Sequence, residues 1–108
     1  MATIQNLVID QGTTYSFSFN LTNADGSAKN LAGYTLASQI RKSYYTSTSV
    51  DFTTSTIDLE GEITISLSAT QTSALRAGRY VYDVEIDDGS ETIRVLEGIV
   101  TVTPEVTR

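Results

Sequence analysis

Alternation of apolar and polar residues with period two runs along most of this 108-residue chain, which is the pattern of strands with one buried face. In "TYSFSFNLT", Tyr15, Phe17, Phe19 and Leu21 share one face while Ser16, Ser18 and Asn20 share the other, so one side is buried and one is wet. A shorter apolar strand precedes it at about Ile4 to Ile9, and "DQG" at 10–12 turns the chain. "NADGS" at 23–27 reads as a turn, because Asp25-Gly26 supplies the positive φ of a tight reversal. "YTLASQIRK" sets Leu36 and Ile40 on one face and Gln39 and Arg41 around the other. "SYYTSTS" at 43–49 has no alternation and reads as a loop. Val50 and Phe52 begin a weaker strand, continued by Ile57 and Leu59. After a turn at Glu60-Gly61, "EITISLS" points Ile63, Ile65 and Leu67 inward. A helical turn is expected over about 69–77, ending at Gly78 in a left-handed conformation. A strand from Arg79 to Ile86 reverses through "DDGS". The last strand runs from about Thr92 to Val102 and stops before Pro104, which has no N–H for a ladder. The terminal strands "TIQNLVI" and "IVTVT" are expected on sheet edges, where exposed backbone invites pairing with another chain.

Seven or eight short strands at spacings of roughly 8 to 12 residues predict an all-β sandwich or barrel. No internal repeat or linker divides it, so 1–108 reads as a single domain. The passage "TQTSALRAGRYVYDVEI" sharpens this expectation. Tyr80, Tyr82, Val84 and Ile86 share one strand face, and a buried tyrosine needs a partner for its hydroxyl. In immunoglobulin-like antiparallel sandwiches, a tyrosine near the start of strand F bonds back to the chain at the corner from strand E. "LRAGRY" resembles that corner, with Leu75 packing down, Gly78 turning and Tyr80 pinning. Tyr82 then takes the inward position where antibody domains carry their second cysteine. The architectural reading is preferred to a reactive tyrosine.

Composition adds exclusions. With 40% hydrophobic residues, 19% charged residues and one proline, the chain is expected to be globular and not disordered. A domain of this size buries roughly two thirds of its unfolded surface, enough for a core without staples. Cysteine and histidine are both absent, which removes disulfides, thiol nucleophiles, the commonest general base and the commonest zinc ligands. Most carboxylates fall in turns, including Asp25, Glu60, Asp87 and Asp88, so no acid–base pair converges in a predicted cleft. No catalytic residue, cofactor or metal is therefore expected. The acidic run Glu85, Asp87, Asp88 and Glu91 offers oxygen ligands for calcium, but it is read as a solvated hairpin turn. A net charge of -6 argues against nucleic acid or an anionic membrane as partner. No apolar run reaches a membrane span, and "MATIQNLVIDQG" lacks a signal peptide's basic start, so a soluble chain not exported by the usual route is expected. "NLT" at Asn20 matches a glycosylation sequon, read as chance without an export signal. Thr and Ser fill 29 positions, as on strand faces turned to water.

The loop "RKSYYTSTS" places Tyr44 and Tyr45 side by side. Two adjacent aromatics in an extended segment do not both face inward, and exposed tyrosine suits contact surfaces. The alternatives are a contact site built on Tyr44 and Tyr45, or one tyrosine in the core and one on the surface.

As a whole, "IQNLVIDQGTTYSFSFNL", "DGSAKNLAGYTLASQIRKS", "GEITISLSATQTSALRAGRYVYDVEI" and "RVLEGIVTVTPEVTR" resemble small virion structural proteins of tailed phages, notably those of marine cyanobacteria. The chain is also similar to the immunoglobulin-like N-terminal modules of phage baseplate upper proteins. Those modules carry a "G(D/T)T" strand start, an "L(T/A)G" turn, a "Q(I/M)R" strand and a "LxAGxYxYDV" hairpin strand. The motifs describe a fold and not a site, so they carry no functional residue. The resemblance implies a non-enzymatic part of a virion assembled in the host cytoplasm. Its partners would be other virion proteins, with the chain a homo-oligomer or present in many copies. The other class considered is a receptor- or carbohydrate-binding module using Tyr44 and Tyr45.

Overall fold

The computed structural model describes residues 3–43 and 49–106. Among these, nine strands form: β1 Thr3–Ile4, β2 Leu7–Asp10, β3 Tyr15–Asn20, β4 Thr35–Arg41, β5 Ser49–Asp51, β6 Thr53–Ile57, β7 Glu62–Leu67, β8 Gly78–Asp87 and β9 Thr92–Thr103. A 3-10 turn at Asp58–Glu60 joins β6 to β7, and the helix α1, Ala69–Ser73, joins β7 to β8. The strands make two sheets. The wide one has the order β5-β4-β8-β9, with β1 and β2 both on the far side of β9. The narrow one is β3-β7-β6. The chain crosses between sheets at β2–β3, β3–β4, β5–β6 and β7–β8, the Greek-key course of an immunoglobulin-like sandwich.

The inward faces are those that the alternation marks. Ile63, Ile65 and Leu67 of the narrow sheet meet Tyr82, Val84, Ile86, Leu96, Val100 and Val102 of the wide one, with Leu7, Ile9 and Ile40 completing the layer. Each of these is nearly or fully removed from water. At roughly 25 cal/mol per Å² of apolar surface, such burial is the main favourable term for the fold. Phe17, Phe19 and Tyr15 pack against this core but stay half-buried, because β3 is an edge strand.

Four expectations are corrected. The first strand is two pieces, and both run parallel to β9, so the sandwich is not wholly antiparallel. The closing segment "IVTVT" is interior, between β8 and β2. The helix is five residues, ending at Ser73 with Ala74 as its cap, since Leu75 must turn inward to be buried. The segment from Val50 to Leu59 is not one strand. It leaves the wide sheet after Asp51 and enters the narrow sheet at Thr53, with buried Phe52 at the crossing. Leu59 consequently sits in the 3-10 turn and is 79% exposed.

Candidate interaction surfaces

The corner between β7 and β8 is tied by a series of side-chain hydrogen bonds. Ser68 caps α1 by accepting from the Gln71 amide, 3.2 Å, while Gln71 Oε1 accepts from the Ser68 amide, 2.9 Å, a capping box. Thr72, fully buried, accepts from the Gly12 amide at 3.0 Å and donates to the Thr13 carbonyl at 2.8 Å. Gln11 Nε2 donates to the Leu75 carbonyl at 2.8 Å, and Gln11 Oε1 accepts from the Glu105 amide at 3.0 Å. The turn before β3 is thereby tied to the corner and to the chain after β9. Leu75 is buried. Gly78 has φ 142°, a conformation that side chains resist. The Tyr80 hydroxyl donates to the Arg76 carbonyl at 2.7 Å, and Lys42 Nζ lies 4.9 Å from the Tyr80 ring centre. Leu75, Gly78 and Tyr80 thus meet at one corner.

Two residues further, Tyr82 lies opposite Gly98 in the ladder. Its ring packs edge-on to Phe52 at 6.2 Å, and its hydroxyl donates to the Gln5 carbonyl. That carbonyl is available because the chain breaks strand geometry at Gln5–Asn6. A Cβ on Gly98 would sit 2.3 Å from it, so only glycine fits there. Burial, aided by the nearby Tyr15, pushes the Tyr82 phenol well above the ordinary tyrosine range.

The outer face of the wide sheet is polar and paired. Arg94 bonds Asp83 at 3.2 Å and lies 4.0 Å from Glu97. Arg41 Nη2 donates to Gln39 Oε1 at 2.8 Å, and Gln39 Nε2 donates to Asp51 Oδ1 at 2.9 Å. Gln39, Arg41, Asp83 and Arg94 line an open depression of about 270 Å³, together with Val81, Tyr82 and Glu85. Beside it, towards the β1–β2 edge, Ile4, Val8 and Ile99 are 73%, 62% and 42% exposed. The register places all three on this outer face, since Ile4 lies beside Glu97 and Val8 beside Thr101, with Ile99 between them on β9.

Tyr44 and Tyr45 lie outside the described residues. In the acidic hairpin, Asp87 Oδ1 accepts from the Gly89 amide at 2.7 Å. Asp88 Oδ1 accepts from the Ser90 and Glu91 amides at 2.9 and 2.8 Å. Those bonds hold the Asp88 carboxyl below its ordinary value, and Ser27 does the same for Asp25. Among the described residues no group of three or more carboxylates is placed to hold a metal ion. Sequence reasoning missed Thr72, Ser38 and the Tyr82–Gln5 tie. Ser38, also buried, donates to the Asp83 carbonyl at 2.7 Å. The Ser68-x-x-Gln71 spacing was a legible signal for the helix start. Nothing local marks the other three, whose partners are 45 to 77 positions distant.

No family model and no curated protein matches this sequence. Among solved structures, the chain is similar to the crystal structure of Listeria monocytogenes InlP, at 14% identity and a TM-score of 0.53. The match covers 94% of this chain and 28% of that one, so this domain spans under a third of the protein it resembles. At that identity the likeness concerns the sandwich fold alone.

Proposed function

We propose that this domain is a non-enzymatic structural component of a tailed-phage particle, acting through protein–protein contacts as a capsid decoration or a tail or baseplate part. The observation that carries the reading is the outward apolar group Ile4, Val8 and Ile99 on the wide sheet, since clustered exposed aliphatics mark contact surfaces. The resemblance of "LRAGRYVYDV" to the baseplate modules supplies the particle context. Tyr44 and Tyr45 belong to the same proposal as further contact residues. The test is localisation by immuno-electron microscopy in purified particles, followed by incorporation of a Val8→Lys, Ile99→Lys variant. Absence from particles would remove the proposal, and undiminished incorporation of the variant would remove the assigned surface. The polar depression between Gln39, Arg41, Asp83 and Arg94 favours a second reading, a saccharide-binding module, which a glycan array separates from the first.

A further inference from the structure

Sheet edges present unpaired N–H and C=O groups to any chain that can align with them. On the wide sheet, β5 is three residues long and β1–β2 is interrupted at Gln5–Asn6. On the narrow sheet, β6 follows directly from β5 and lies beside β4 where the chain changes sheets. The remaining edge, β3, is different. "YSFSFN" is six residues without a charge, proline, glycine or bulge, and among the described residues nothing pairs with it on the side away from β7.

The direction of its free groups follows from the ladder. The Leu21 amide donates to the Gly61 carbonyl at 2.8 Å, on the β7 side. Amide and carbonyl direction alternates along a strand, so Tyr15, Phe17 and Phe19 also bond towards β7, and Ser16, Ser18 and Asn20 point outward from the sheet edge. The 2.7 Å contact between the Ser18 and Thr64 hydroxyls agrees, since side chains approach most closely at non-hydrogen-bonded pairs.

We propose that β3 is a self-association edge, with two copies pairing β3 to β3 antiparallel about a two-fold axis at Ser18. In this register Ser18 faces Ser18 of the second copy, and Ser16 faces Asn20. All three outward-pointing residues of each strand then find hydrogen-bond partners. Phe17 faces Phe19 of the second copy at the closer, non-hydrogen-bonded positions, where aromatic pairs contribute most. The Phe17–Phe19 stack within one chain, 6.1 Å between ring centres, becomes a four-ring cluster that covers rings now half-buried. Three strands from each copy form one six-stranded sheet.

The occupant is a second copy because β3 itself has the pattern that the edge requires, large apolar residues inward and small polar ones outward. Charge agrees with this choice. The chain carries -6 overall, yet the outer face of the narrow sheet holds a single charge, Glu62, beside Asn20. The two-fold axis places Glu62 in line with Ser16 and Ser66 of the second copy, not with another acid. The pairing does not depend on the particle assignment.

Sedimentation velocity on the isolated protein from about 1 µM to about 500 µM tests it. A concentration-dependent monomer–dimer equilibrium is expected. Ser18→Pro removes the axial donor at a position where an edge strand accepts proline, and Ser18→Lys sets two ammonium groups across the axis. Each is expected to weaken dimerisation at least about tenfold while leaving the melting temperature near wild type. Ser18→Cys, the sole thiol in a chain without cysteine, is expected to cross-link with a short bismaleimide, whereas Ser73→Cys on α1 does not. The proposal is overturned by a wild type that stays monomeric, which leaves the edge to a strand of another protein. It is equally overturned by Ser18→Lys dimers as tight as wild type, or by equal cross-linking at positions 18 and 73.

Discussion

The two sheets enclose the same core but meet water differently. The wide sheet is held by polar cross-links that skip along the sequence, including Tyr82 to Gln5, Arg94 to Asp83 and Glu97, and Ser38 to the Asp83 carbonyl. Its outer face is charged, and its edges are short or interrupted. The narrow sheet has three strands, hydroxyl residues outside and a full-length open edge. The first sheet has its backbone bonding nearly complete and offers contact through side chains, the exposed group Ile4, Val8 and Ile99, while the second has backbone bonding capacity left over. The two sheets thus present different kinds of contact surface over one core.

The largest expected effect tests whether the narrow sheet is energetically central despite its size. Ile65, fully buried on β7, should cost about 2–5 kcal/mol when changed to alanine. Phe17→Ala, on the same sheet but at the half-buried edge, should cost less than the full phenylalanine range of about 3–5 kcal/mol. Equal losses in urea melts would mean that the β3 edge is already covered.

Tyr82→Phe comes next and probes the wide sheet's cross-link. The Gln5 carbonyl loses its phenol donor in a part-buried site, at a cost of about 1–3 kcal/mol. The change also has a pH signature. Folded Tyr82 holds its proton well above the unfolded value near 10, so the unfolded state releases a proton first as pH rises. That part of stability is intact below about pH 10 and falls as pH rises further. Tyr15 is shifted in the same direction by burial. Melts at about pH 8 and about pH 11 should show a shallower decline for Tyr82→Phe than for wild type, and identical slopes would remove the tie.

Tyr80→Phe should be smaller, about 1 kcal/mol, because the Arg76 carbonyl lies at an exposed corner where water can replace the phenol. A loss indistinguishable from zero would reduce Tyr80 to a packing role. The smallest effects belong to the two outer faces. Arg94→Ala, removing a half-exposed ion pair, is expected to cost about 0–1 kcal/mol and to depend on salt. Ser16→Ala on the narrow sheet should lie within about 0.5 kcal/mol and be indifferent to salt.

Strand faces were legible in the sequence wherever alternation was regular. Tyr15, Phe17 and Phe19, Ile63, Ile65 and Leu67, and Tyr82, Val84 and Ile86 all point as the pattern requires. The Tyr80 hydroxyl bonds the carbonyl of Arg76, four residues back, a contact short enough in sequence for a local motif to encode. What the alternation does not encode is which sheet a strand joins. The break at Phe52 and the parallel docking of β1 and β2 on β9 depend on partners far along the chain. The surfaces were less legible still. Edges were expected at both terminal segments. β1 and β2 do border the wide sheet, whereas β9 is flanked on both sides, and the uninterrupted open edge at β3 was not foreseen. Thr72 and Ser38 look like ordinary strand or helix residues until their distant carbonyl partners are in place.

The interior position of β9 has a consequence for synthesis. Asp10 and Thr103 are 93 positions apart and bonded side by side, and among the described residues β2 pairs with β9 alone. A nascent chain halted before Thr92 leaves both β2 and β8 without that partner, with Leu7, Ile9, Val84 and Ile86 lacking their cover. Non-local pairing of this kind is slow and prone to aggregation. The core therefore closes only after translation has passed Thr103, and ribosome-stalled fragments shorter than that should be degraded by protease while the released domain resists it.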